Sequence, residues 1–595
     1  MTPGAPANAG TKPSWPGLVA ALVLVGAPAV FWNGGVVEEE AVGFLRHYWS
    51  KLSFAQKVLD PRGWDFYQGR ELSYAIDWLD AQWVRFLLER DFLFFVPPSA
   101  TLALLAMIAL FWWGVPGVFP RVDRVAAWSV LLLYLSSFAV VSTTGILYRA
   151  TKPLVAPLLL GLLLLSLAEH RRPGATRAAG LWLVLAGGSV MSLLDRQGLF
   201  YLIFLTAALG VAAAVTRRGA RLVVGGVAAI GVALLYNYVV GPWLILAVNG
   251  YRPSMSFQQP SPAWLVDPEA WREGLAVLGD WTSTLGGGLP GWLLGLVALA
   301  LAVFAWWPAR RRVPRLVPVL VAVGLVAQAA MVTVMVRRHE PVTWVDHRIW
   351  YYPLPYQALL VFVLLWWLDR AVAPRGRLAR ALPVVLLCLV ASNVAHWPHL
   401  RRVMQSGPWF GDVSRRSDLL KQSLRTGVPS PRLDGDYRRF LFECRDRFAR
   451  IAAGMAPHVS EGNGVSPTEI VDGRLSATAE RESRVTAFAP VPGRYRLEGT
   501  LDLRPNQAVS VAFDTTPPRV LGEVTWREGG TGASSFSWPV ELSRGPTGFV
   551  LRSEKAAIGP RRRGRPLAFG LLLPFELVPL SGDDPPGEPT GREPG

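Results

Sequence analysis

Cysteine is almost missing from this chain. Two occur in 595 residues, Cys388 inside an apolar run and Cys444 well beyond it. That argues against a disulfide framework and against a zinc site built on thiolates. No Gly-rich loop ending in Lys-Ser or Lys-Thr is present, so the chain does not read as an ATP-driven pump. The C-terminal part has no Gly-x-Ser-x-Gly elbow for a nucleophilic serine. There is no HExxH spacing, no internal repeat, and no inverted pair of broken apolar segments of the transporter kind. Acids are also scarce beside bases: 43 Asp and Glu against 60 Lys and Arg leave a formal charge of +17.

Apolar residues are abundant. They make up 51% of the chain, mean hydropathy is +0.30, and they are gathered in runs near the roughly 20 residues that cross a bilayer core. The pattern predicts eleven transmembrane helices, at about 15–33, 93–114, 125–142, 153–168, 178–194, 199–216, 222–248, 289–307, 316–336, 349–368 and 381–397. The first follows a single charge, Lys12, and reads as a retained anchor rather than a cleaved signal, because ten further spans follow it.

Much of the Arg excess lies in short clusters in alternate connections: Arg121 and Arg124; Arg171, Arg172 and Arg177; Arg217, Arg218 and Arg221; Arg310 to Arg312 and Arg315; Arg370, Arg375, Arg377 and Arg380. That is a membrane-orientation pattern, not a nucleic-acid stripe. It predicts a cytoplasmic N-terminus and an extracytoplasmic C-terminal part. Twenty-five Trp residues, many near the ends of apolar runs, fit interfacial belts. Composition rich in Ala, Arg, Gly and Val, without eukaryotic targeting signals, suggests a bacterial inner membrane.

The expected organisation is a cytoplasmic tail at 1–14 and a transmembrane domain at 15–400 with a long first outer loop at 34–92. A charged helical linker at 401–455, an extracytoplasmic β-sandwich at 456–580 and a disordered acidic, Pro/Gly-rich end at 581–595 complete it. The sandwich is read from short alternating runs such as "AVSVAFD" and "RVLGEVTW", separated by Gly and Pro.

Three sets of outer residues carry candidate chemistry. Glu38, Glu39 and Glu40 directly follow the first span, as stops against sliding into lipid or as a general base with one pKa raised by its neighbours. In "GWDFYQGRELSYAIDWLDAQW" the spacing predicts an amphipathic helix from Arg70. Leu72, Ala75, Ile76, Leu79, Trp83 and Phe86 lie on one side, and Arg70, Ser73, Tyr74, Asp77 and Asp80 on the other. Asp65 and Glu71 belong to the same charged stretch. Its polar side reads as a solvated face or as groups held over the mouth of the bundle. Third come outer cations that run against the orientation bias: Arg149, Lys152, Arg196, Arg337, Arg338 and Arg348. Converging from three loops, they suit an anionic lipid phosphate. In "RRHEPVTWVDHR", His339 and His347 flank Glu340 and Asp346 without a metal-ligand spacing. No metal site is assigned, and dependence on a divalent metal stays open.

With acids after the first span, an outer loop helix and a large outer C-terminal domain, residues 15–400 resemble the GT-C superfamily of integral membrane glycosyltransferases, which includes protein O-mannosyltransferase and aminoarabinose transferase relatives. "YQGRELSYAIDWLDA" stands where bacterial members carry a Gly-Arg pair leading into the loop helix. "DHRIWYYPLPYQALLVF" is similar to their Arg–aromatic–Leu–Pro opening of a late span. The chain departs from the family's Asp-Glu, Asp-Asp or Asp-x-Asp motif, having Glu38-Glu39-Glu40 instead; Asp65 or Glu71 could then be the base.

The resemblance implies transfer of a sugar, with inversion, from a polyprenyl-phosphate donor such as undecaprenyl phosphate to an acceptor hydroxyl on a glycan, lipid or protein. Glu39 or Glu40 would be the base. Arg348, with Arg149 or Lys152, would hold the phosphate, and Arg70 would assist. Tyr74, Asp77, Asp346 and His347 would stand on the acceptor side. Two other functions fit the same chain: a flippase of lipid-linked sugars, and a non-catalytic envelope assembly protein. The near absence of ionisable groups inside the spans disfavours the flippase.

Overall fold

The computed structural model describes residues 15–49, 52–59, 69–147, 152–171, 177–217, 219–251, 253, 266–286, 289, 326, 328–333, 353–372, 376–426, 433, 436–437, 440, 457–461, 469–471, 474–526, 533–554 and 567–580. They fall into two compact units: one helical, and one that holds the β-strands together with the residues from 245 to 253 and those after the main boundary at residue 414.

The helical unit opens with α1 (Trp15–Phe31), a two-residue strand β1 (Val36–Val37), and three loop helices: α2 (Glu39–Trp49), α3 (Phe54–Val58) and α4 (Glu71–Leu88). The bundle follows: α5 (Pro98–Ala109), which runs through a π turn at Leu110–Gly114 into α6 (Val115–Val118), then α7 (Arg124–Leu135) and α8 (Phe138–Gly145). Strand β2 (Ile146–Leu147) precedes α9 (Val155–Arg171), α10 (Arg177–Leu194) and α11 (Arg196–Thr216). Next are α12 (Ala220–Leu235), a π turn at Tyr236–Val240, α13 (Gly241–Asn249), whose residues from 245 on fall in the other unit, and α14 (Pro268–Ser283). The unit closes with α15 (Pro353–Trp367), a π turn at Leu368–Val372, α16 (Gly376–Ser406) and α17 (Pro408–Thr426), which carries the boundary between units.

Helices therefore occupy the expected apolar segments, except those at 289–307 and 316–336, which lie outside the described residues apart from positions 289, 326 and 328–333. Among the described residues, four helices are long and apolar enough to cross a membrane: Pro98–Val118, Arg196–Ala214, Ala220–Asn249 and Arg380–Ser406. The span expected at 125–142 is instead α7 and α8 with a 54° bend between them, a fifth crossing if the pair is one span.

That bend breaks the helical ladder among apolar helices, where freed polar groups need partners from the protein. They have them. Trp397 Nε1 donates to Ser136 O at 2.8 Å, Asn393 Nδ2 to Ser136 Oγ at 3.1 Å, and the Phe138 N–H to Thr284 O at 3.2 Å. Ser137 Oγ donates to Gln357 Oε1 at 3.0 Å. The main core of the unit is aliphatic and joins α5, α7, α9, α10, α11 and α15, with Leu131, Leu135, Leu159, Leu163, Leu205 and Phe362 fully enclosed.

The β unit has two five-stranded sheets. With β3 (His458–Glu461), β4 (Glu469–Val471), β5 (Arg474–Glu480), β6 (Glu482–Ala489), β7 (Gly493–Asp502), β8 (Ala508–Phe513), β9 (Arg519–Thr525), β10 (Ala533–Leu542), β11 (Gly545–Ser553) and β12 (Leu567–Pro579), the orders are β10-β7-β12-β5-β4 and β3-β6-β11-β8-β9. All pairings within these two sheets are antiparallel. Tyr495, Leu497, Leu501 and Leu571 from one sheet and Val485, Val511, Phe549 and Leu551 from the other share a single core, the arrangement of a sandwich. Strand alternation supplies it: in β10, Ser534, Phe536, Val540 and Leu542 are buried while Ser535, Ser537 and Glu541 are exposed. The expected linker at 401–455 overlaps the end of α16 and all of α17; residues 1–14, 441–456 and 581–595 lie outside the described residues.

Candidate functional site at the loop-helix end

Three helical connections meet at one end of the helical unit. After α1 the chain turns through Gly34, whose carbonyl accepts the Phe95 N–H at 2.6 Å. β1 then pairs in parallel with β2, Val36 against Ile146 and Val37 against Leu147. The Glu38 N–H is 3.5 Å from Leu147 O. This pairing brings the acids after the first apolar helix to the strand just before the turn Lys152–Leu154.

Glu38 is buried. Its Oε2 accepts the N–H groups of Glu40 at 2.7 Å and Ala41 at 3.3 Å, so it caps α2, a role that suits a carboxylate at a helix N-terminus. Glu39 is half-buried and Glu40 exposed.

The loop helices form one interlocked layer. Lys57 Nζ donates to Tyr48 O at 2.8 Å, and His47 Nε2 lies 2.9 Å from Lys57 O. Trp49 Nε1 donates to Ala81 O at 2.9 Å and Gln82 Nε2 to Tyr48 O at 3.3 Å, which fixes α2 against α4. Burial depresses the Lys57 pKa, and the nearby Arg85 charge adds to the effect.

Helix α4 faces the protein with its polar side. Arg70, Glu71, Ser73, Tyr74 and Asp80 are buried, whereas Leu79, Trp83 and Phe86 are 58%, 43% and 42% exposed. Each buried ionisable group meets a different neighbour. Arg70 Nη2 pairs with Asp195 Oδ2 at 3.5 Å, and Asp195 Oδ1 also caps α11 by accepting the Gln197 N–H at 2.8 Å. Glu71 hydrogen-bonds the Tyr236 hydroxyl on the π turn of the 220–249 helix. Asp80 Oδ1 accepts the Ser99 N–H at 3.0 Å, and Oδ2 accepts the Ser99 hydroxyl in a short bond, so Asp80 caps α5 from a neighbouring helix. Burial pushes the Asp80 pKa up to about 6, against the pull of the Ser99 hydrogen bonds.

Gly69, at φ +60°, brings the backbone ahead of α4 against the Asn237 side chain, where a Cβ would collide with Asn237 Oδ1. A π turn offers such a side chain to a neighbour by widening the helix locally.

Of the residues singled out in the sequence, Glu38, Arg70, Glu71 and Tyr74 are buried at this end, and Asp77 is half-buried on α4. Lys152 opens the short turn before α9. Asp65, Arg149, Asp346, His347 and Arg348 lie outside the described residues, as do Arg337, Arg338, His339 and Glu340. Sequence reading did not assign Asp195, Gln197, Ser99, Tyr236 or Asn237. Only Asp195 carried a signal, as an acid immediately ahead of a new helix. Among the described residues, no three His, Cys, Asp or Glu side chains gather in a group that could hold a metal. Neither a scan of family models nor a search of curated proteins finds a match to this chain.

Proposed function

We propose that the chain is a membrane glycosyltransferase of the GT-C kind, moving a sugar from a polyprenyl-phosphate donor to an acceptor hydroxyl on the extracytoplasmic side. The observation that carries this reading is the parallel pairing of β1 with β2, which sets the Glu38–Glu40 segment beside the strand leading to Lys152. A carboxylate and a cation within reach of one donor are what an inverting transfer from a phosphate leaving group uses.

In that reaction the base takes the proton of the acceptor hydroxyl, and the oxygen attacks the anomeric carbon. The bond from that carbon to the phosphate oxygen breaks, and polyprenyl phosphate leaves with the electron pair. Glu39 or Glu40 would be the base, while Glu38 caps α2. Lys152, Arg149 and Arg348 are the phosphate candidates; removing one such electrostatic partner costs roughly 3 kcal/mol in enzymes where it has been measured. Arg70, paired with Asp195, would assist in holding the donor phosphate, with Tyr74 and Asp77 on the acceptor side. The outward apolar side of α4 supports an interfacial position for this layer, where a lipid-borne donor is presented.

The test is turnover by the purified chain in nanodiscs with labelled polyprenyl-phosphate sugars and a membrane extract as acceptor. Combining Glu39→Gln with Glu40→Gln abolishes transfer if one of them is the base. Full rate in that variant contradicts the assignment.

A further inference from the structure

The helical unit has a second polar centre, at the other end of the Pro98–Val118 helix from Asp80 and Ser99, roughly 30 Å away at the rise of a helix. Its middle is Asp369, which is 2% exposed and lies on the π turn after α15. Asp369 Oδ1 accepts the Arg121 N–H at 3.1 Å. Its Oδ2 accepts from Arg171 Nη2 at 2.9 Å, and Arg370 Nε is 3.6 Å away. Arg171 also donates to Val118 O and lies over the Phe119 ring, 5.4 Å from its centre.

Two guanidinium groups, of Arg171 and Arg370, thus meet one carboxylate, and the charge of a third, Arg121, reaches Arg370. The nearby acid Asp123 is turned to its own helix, where it accepts the Val125 N–H. Burial lowers the Arg370 pKa, and the charges of Arg171 and Arg121 lower it further against the opposing pull of Asp369. Donors outnumber acceptors as well. Among the described residues, Nε of Arg171 and Nε of Arg370 have no hydrogen-bond acceptor. Neither do the indole N–H groups of Trp366 and Trp367, which are more than nine-tenths buried and lie about one helical turn before Arg370. Such a surplus of desolvated positive charge and open donors calls for an anion.

The apolar surroundings say which kind. The cluster sits where α6 and α9 end, at the foot of a helix apolar enough to cross a membrane, with Trp113 75% exposed about one turn above. Exposed tryptophan beside arginine at a span end marks a lipid headgroup level. We infer that Arg121, Arg171 and Arg370 hold the phosphodiester headgroup of an anionic phospholipid at this Arg-rich end, separate from the proposed transfer site. The acyl chains lie along the neighbouring apolar helices, and the headgroup oxygens accept the donors left over around Asp369.

The experiment is native mass spectrometry of the full chain released from micelles holding equal phosphatidylglycerol and phosphatidylcholine, with a parallel titration of inorganic phosphate. Preferential retention of phosphatidylglycerol is expected, weakened about fivefold by Arg121→Gln and again by Arg370→Gln, since each basic side chain near a headgroup contributes on the order of 1 kcal/mol. The Arg121 side chain is exposed and its backbone, not its guanidinium, holds Asp369. An unchanged thermal midpoint of Arg121→Gln in phosphatidylcholine therefore separates lost binding from lost folding. Equal retention of both lipids, or phosphatidylglycerol retention unaltered in both variants, overturns the inference. So does saturable binding of inorganic phosphate without any lipid preference, which would make the cluster a site for a soluble anion.

Discussion

Asp80 is the residue whose burial has the plainest consequence. Its pKa rises from 3.8 unfolded to about 6 in the fold, so between those values the folded protein binds more protons than the unfolded one. Its contribution is greatest below pH 3.8 and is lost as pH climbs through about 6. Asp80→Asn keeps an acceptor for Ser99 and removes the buried charge. The thermal midpoint of the variant relative to the parent should therefore rise from pH 4 to pH 7, by the equivalent of up to about 3 kcal/mol; a pH-independent difference contradicts this. Asp195 is the opposite case, an acid whose loss strands a buried cation. Asp195→Ala should destabilise by roughly 3–5 kcal/mol through unpaired Arg70, with about 1 kcal/mol more from the lost cap of α11. Asp195→Asn, which can still cap, should be milder, and chemical or thermal unfolding of the two variants reads the order. Arg70 was legible in the sequence as a charged residue of the loop helix, but its partner was not. The two lie in segments far apart in the chain, and no local pattern joins them.

At the scale of elements, the apolar segments were legible because a run of about 20 apolar residues matches the thickness of a bilayer core. The bend between α7 and α8 was not, since the side chains that satisfy it, Gln357, Asn393 and Trp397, come from distant helices. Strands β1 and β2 escaped notice because two residues carry no periodicity. Helix α4 is two-faced, as its spacing predicts, and the burial of Arg70, Glu71, Tyr74 and Asp80 shows that its polar side is not a solvated face. With its polar face inward, the side bearing Leu79, Trp83 and Phe86 faces lipid in this account. A nitroxide placed through Trp83→Cys, in nanodiscs, should be relaxed more by oxygen than by a polar nickel complex. One placed through Arg85→Cys, beside a solvent-facing ion pair with Glu89, should show a smaller bias. A spin label at position 83 that favours the nickel complex would remove α4 from the membrane interface.

Across the whole molecule, the helical unit is built with two charged ends and an apolar middle. One end has Glu38, Arg70, Glu71, Asp80 and Asp195; the other has Asp369 with Arg121, Arg171 and Arg370. The second set was legible as the Arg-rich connections of the orientation pattern, and the first as the acids and the loop helix. What joined them was not, because ion pairs and caps between distant segments depend on packing that charge counts do not encode. The β unit was legible as short alternating strands, which say nothing of its ligand. The central claim is that the Glu38–Glu40 segment, set beside β2 by strand pairing, and Lys152, which follows β2 in the chain, serve one transfer reaction. The measurement that tests it most directly follows both products in nanodiscs supplied with a polyprenyl phosphate sugar labelled in the sugar and in the phosphate. The account predicts labelled glycan, lipid or protein together with an equal amount of polyprenyl phosphate, both lost when Lys152→Ala is introduced. Movement of the intact labelled donor between leaflets with no cleavage would contradict it and make the chain a flippase.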